Sequence, residues 1–68
     1  MKLISLQSRG NRVVRVVEQS GYYDILGKIL SWWEDSGFTY TLIFERVSCN
    51  AKDALKIADE WLKGRIDK

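Results

Sequence analysis

The chain contains no histidine and no proline, and only one cysteine, Cys49. Each absence closes a line of chemistry. Without an imidazole there is no base for a serine or cysteine nucleophile and no His-containing zinc site. One thiol cannot build a cysteine-rich metal site or an internal disulfide, which fits a reducing compartment, so a cytoplasmic location is expected. Cys49 itself reads as a small apolar residue at a strand–helix junction. The lack of proline and of long polar runs leaves no sign of a linker before the last few residues. The apolar runs fall far short of the roughly 20 residues that span a bilayer. Met1-Lys2-Leu3-Ile4 is not followed by a signal-peptide core.

With 68 residues, one domain covering 1–68 is expected. A chain this short buries only about 60% of the surface its unfolded form exposes. Its aromatic residues are therefore expected in the core first, and only a surplus speaks of function. There is no Gly-rich phosphate loop, and the carboxylates are scattered from Glu18 to Asp67. The adjacent pairs Glu34-Asp35 and Asp59-Glu60 suit a turn and a solvated helix face better than acid–base chemistry. The expectation is a protein that is not an enzyme and needs no cofactor or metal.

Charge is unevenly placed. Residues 1–17 hold Lys2, Arg9, Arg12 and Arg15 with no acid, +4, whereas the rest hold seven basic and nine acidic groups, −2. Such asymmetry marks either a basic patch or a solvated hairpin.

The pattern of residues predicts an α+β fold, a small antiparallel sheet of three or four strands in a meander packed on one C-terminal helix. Ala54, Leu55, Ala58, Trp61 and Leu62 recur as one helical stripe. Asn50 is the expected N-cap with Asp53 three residues on, and Gly64 the expected C′ residue. Lys56 with Glu60 and Asp59 with Lys63 are spaced for ion pairs on the polar face. "KLISLQ" and "RVVRVVEQ" flank "SRGN", a hairpin with Gly10-Asn11 turn chemistry. Residues 38–47 alternate as a strand, with Phe38, Tyr40, Leu42 and Phe44 expected on the core face.

Residues 22–35 admit two readings. As a helix, Tyr22, Ile25, Leu26, Ile29, Leu30 and Trp33 form a stripe, but Gly27 costs about 1 kcal/mol relative to Ala and Glu34-Asp35 crowd the negative helix end. As a strand, Ser36-Gly37 becomes a two-residue turn that sets Asp35 against Phe38, Trp33 against Tyr40, Ile29 against Phe44 and Lys28 against Glu45. The strand is preferred. Its inner face would then hold Ile25, Ile29 and Trp33 with Tyr40, Leu42 and Phe44. Its outer face would hold Leu26, Lys28, Leu30 and Trp32 beside Thr41, Ile43 and Glu45. One helix cannot cover both sides of a sheet.

Two functions follow. In the first, the chain is a small protein-binding module (a regulator, an inhibitor, a subunit or a homodimer) whose partner meets Leu26, Lys28, Leu30, Trp32 and Ile43. The rival outcome is that the N-terminal hairpin folds over that face. In the second, the basic hairpin binds nucleic acid through Arg9, Arg12 and Arg15. The aromatic residues lie near Glu34, Asp35 and Glu45, not among those arginines, so protein binding ranks first. No membrane partner is expected.

Overall fold

The computed structural model describes residues 1–66; Asp67 lies outside the described residues. Four strands, β1 (Lys2–Arg9), β2 (Arg12–Glu18), β3 (Tyr23–Trp33) and β4 (Gly37–Ser48), precede one helix, α1 (Ala51–Leu62). The strands form a single antiparallel sheet in the order β1-β2-β3-β4, the expected meander. Residues 23–33 are a strand. A long partner for β4 outweighs the helical stripe, and Gly27 has a reason to be in a strand.

That reason is Trp61. The core is Val14, Val16, Ile25 and Phe44 from the sheet closed by Ala54, Ala58, Trp61 and Leu62 from α1. Trp61, 1% exposed, stacks on Phe44 with ring centroids 5.4 Å apart. A β-carbon on Gly27 would come within 2.9 Å of two indole carbons and 3.0 Å of Phe44 Cβ. The missing side chain is the space the indole occupies.

The ends of α1 follow the sequence closely. Asn50 Oδ1 accepts from the backbone N–H of Lys52 (2.8 Å) and Asp53 (3.4 Å). Such a cap is worth about 1 kcal/mol. At the other end Gly64, with φ 78°, donates to the Trp61 carbonyl, and Arg65 N–H donates to the Glu60 carbonyl, a Schellman closure. Asp59 pairs with Lys63 at 3.1 Å as expected. Glu60 pairs with Arg65 at 3.3 Å. Leu55 lies at the border of the stripe and is exposed, whereas Ile57 packs against the core.

The β3–β4 register departs from the expected one. Trp33 pairs with Gly37, Leu30 with Tyr40, Gly27 with Phe44 and Leu26 with Glu45. The connection is Glu34-Asp35-Ser36, closed by Ser36 N–H donating to the Trp33 carbonyl at 3.3 Å, and Gly37 returns the chain at φ 74°. A β-bulge then leaves Ile43 without an opposite residue on β3, between the pairs Gly27–Phe44 and Lys28–Leu42. Turn and bulge together change which face β4 presents. Phe44 stays in the core, but Phe38, Tyr40 and Leu42 share the face of Trp32, Leu30 and Lys28. Thr41 moves to the helix side, paired with Ile29.

Candidate functional site: the uncovered face of the sheet

Strand register assigns every side chain to one face. On β3, Leu26, Lys28, Leu30 and Trp32 lie opposite α1, as the sequence reading expected. On β4 they are joined by Phe38, Tyr40, Leu42, Glu45 and Val47, and on β2 by Val13, Arg15 and Val17. On β1 the pairs Leu3–Val17 and Leu6–Arg15 add two leucines. The N-terminal hairpin therefore extends the sheet and does not fold over it. Among the described residues no element packs on this side.

In a sheet with one wet face, apolar residues point inward and polar ones outward. Here β1 turns Ser5, Gln7 and Arg9 toward the helix side and Leu3 and Leu6 away from it. β4 likewise turns Thr39 and Thr41 toward the helix side and Phe38, Tyr40 and Leu42 away. Leu6 is 63% exposed, Phe38 68% and Trp32 64%. Trp32 and Phe38 form an edge-to-face pair, centroids 5.2 Å apart, on this face. Leu6, Val13, Arg15, Leu26, Lys28 and Tyr40 line a shallow depression of about 160 Å³ in its middle.

Beyond the end of β2, β3 and β4 continue as a two-stranded arm, anchored where Leu30 N–H donates to the Asn11 carbonyl at 2.8 Å. The two tryptophans sit near its tip and separate there. Trp32 belongs to the uncovered face. Trp33 has the parity of the helix side but lies past the helix and is 54% exposed, which corrects its expected place in the core. Ile43, an expected contact residue, is exposed as the extra residue of the bulge.

The arginines do not form one surface. Arg12 Nη1 donates to the Trp61 carbonyl at 2.7 Å, and its guanidinium lies 4.7 Å from the centre of the indole. It is a clamp on the C-terminal end of α1, where a cation also meets the negative helix end. Arg9, paired with Arg12, shares the helix side; Arg15 faces the opposite way. The nucleic-acid set is split across two faces, and one of its members has a structural task.

Elsewhere, Glu18, Gln19, Gly21, Tyr22, Tyr23 and Cys49 line a second depression of about 170 Å³. Tyr23 Oη donates to Glu18 Oε2 at 3.3 Å. Burial, with the neighbouring Glu18 carboxylate adding to it, raises the phenol pKa above its ordinary value. Among the described residues no three His, Cys, Asp or Glu side chains are placed to hold a metal ion, and no helix is long and apolar enough to cross a membrane.

No family model matches the chain, and no curated protein or solved structure is similar enough to it to bear on its function.

The face residues that sequence reasoning missed are Leu3, Leu6, Phe38, Tyr40, Leu42 and Val47. The signal was present as small polar residues between them, Ser5 and Gln7 on β1 and Thr39 and Thr41 on β4. It was hidden by bulges at Ile4 and Ile43, which break strict alternation.

Proposed function

We propose that this chain is a small non-catalytic protein-binding module whose contact surface is the sheet face opposite α1. The observation that carries the reading is the reversed polarity of β1 from Leu3 to Gln7 and of β4 from Phe38 to Leu42, which turn leucines and aromatic rings toward solvent and serine, glutamine and threonine toward the helix side, whereas Phe44 and Glu45 keep the ordinary arrangement. A sheet that met only water on that face would gain from the opposite arrangement. Trp32, Phe38 and Tyr40 are residue types suited to anchoring a protein contact, and Arg15, Lys28 and Glu45 supply polar groups among them.

The test is a bait comparison with wild type, Leu30→Glu and Trp32→Glu, each checked for an intact fold by circular dichroism. A specific protein retained by wild type and released by both variants, with amide-exchange protection on β3 and β4, is expected. A partner held equally by all three would place the contact elsewhere and overturn the reading.

A further inference from the structure

The uncovered face gathers both signs of charge around one apolar residue. Leu26 has Arg15 as its neighbour on β2 and Glu45 as its neighbour on β4. Asp24 and Lys28 flank it on β3, two residues away on either side, and so share its face. Opposite ends of each line through Leu26 therefore carry opposite charges, Arg15 against Glu45 and Lys28 against Asp24. None of the four is in an ion pair among the described residues.

We infer that the Leu26 end of this face is self-complementary and docks on a second copy of the chain; the inference rests on the protein-binding reading and places a self-contact apart from the aromatic arm that Leu30→Glu and Trp32→Glu probe. Consider a two-fold axis lying in the contact plane and passing through Leu26. Run along the strands, it sets Lys28 against Lys28 and Asp24 against Asp24. Run across them, it sets Arg15 against Arg15 and Glu45 against Glu45. Run along one diagonal, it exchanges Arg15 with Asp24 and Lys28 with Glu45, so that every charge meets its opposite around a central pair of leucines; the other diagonal sets Arg15 against Lys28 and Asp24 against Glu45. Charge selects the first diagonal. The strands of the two copies then cross at about 90°, one of the two ways in which sheets pack face to face. The contact is isologous, as closed dimers are.

The same four charges argue against two other kinds of occupant. A partner of one charge sign would leave two of them facing like charge, and an apolar partner would bury all four without a counter-charge, Asp24 keeping only its hydrogen bond from Gln19 Nε2 at 3.4 Å. Two four-stranded faces crossed at right angles overlap over on the order of 300–400 Å² in projection, taking about 4.8 Å per strand. A footprint of four strands by four makes a small contact, so the dimer is weak and dissociates on dilution. The aromatic arm projects beyond the overlap.

The experiment is sedimentation velocity over a concentration series up to about 1 mM with three chains: wild type, the acid-faced Arg15→Glu/Lys28→Glu, and the base-faced Asp24→Lys/Glu45→Lys. Wild type is expected to dimerise reversibly, each reversed chain to weaken association at least tenfold, and a mixture of the two reversed chains to form a heterodimer. If either double variant fails to fold, Lys28→Glu and Glu45→Lys provide the same comparison, because these positions face one another. A wild type that stays monomeric throughout overturns the second copy while leaving the bait comparison to decide the broader reading. Reversed chains that dimerise as wild type does also overturn it, by moving the contact to another surface such as the β4 edge.

Discussion

Trp61 lies directly over Gly27, and the strand has no room for a side chain between them: a β-carbon there would stand 2.9 Å from the indole. Alanine normally stabilises a strand interior relative to glycine by about 0.5–1 kcal/mol. Here overpacking outweighs that gain, because Phe44 closes the other side at 3.0 Å. Gly27→Ala is expected to cost about 1–3 kcal/mol, seen as a lower urea midpoint. An unchanged or higher midpoint would mean that the indole can shift aside.

Arg12 also holds Trp61, through the bond to its carbonyl and the guanidinium over its ring. Arg12→Met keeps much of the stem and removes both. A loss of about 1–3 kcal/mol is expected in chemical denaturation. Arg12→Lys should recover little of it, since an ammonium lacks the planar fork that stacks and donates together. Full recovery in the lysine variant would reduce Arg12 to a point charge at the helix end.

Leu30→Glu and Trp32→Glu place a carboxylate on the uncovered face, not in the core. Both are expected to unfold cooperatively with midpoints within about 1 kcal/mol of wild type. A collapsed Leu30→Glu chain would show that this face is closed in the folded monomer.

Tyr23 makes the fold sensitive to alkaline pH in one direction. Its folded-state pKa is raised above 10.0, first by burial and then by Glu18, so the fold favours the neutral phenol. That contribution is fully present below the unfolded pKa of about 10 and is lost as pH rises through the folded value. Stability should therefore fall with pH above about 10, and Tyr23→Phe should flatten that fall. An equal alkaline loss in Tyr23→Phe would assign it to other groups.

Nucleic acid should bind weakly and without sequence preference. Arg9 and Arg15 lie on opposite faces and Arg12 is held against Trp61. The log–log salt slope for duplex DNA is expected to be no steeper than about −2. A slope of −3 or steeper, abolished in Arg9→Ser/Arg15→Ser, would restore the basic hairpin as a site.

The helix was legible in the sequence because its signals are local. Asn50, the periodic Ala54, Ala58, Trp61 and Leu62, and Gly64 act within a few residues of one another, and propensity and capping point the same way. The strand character of β1, β2 and β4 was legible for the same reason, and so was the outward side of Leu26, Leu30 and Trp32 on β3. What each position on β4 faces was decided by tertiary structure. Side chains alternate with a period of two, so the Glu34–Ser36 turn and the single extra residue at Ile43 were enough to exchange Tyr40 and Leu42 for Thr41. Gly27 and Arg12 show the same limit from the side of packing. Locally one is a poor helix former and the other a surface charge; only the approach of Trp61, more than thirty residues away in sequence, makes the first a cavity for a ring and the second a clamp on it.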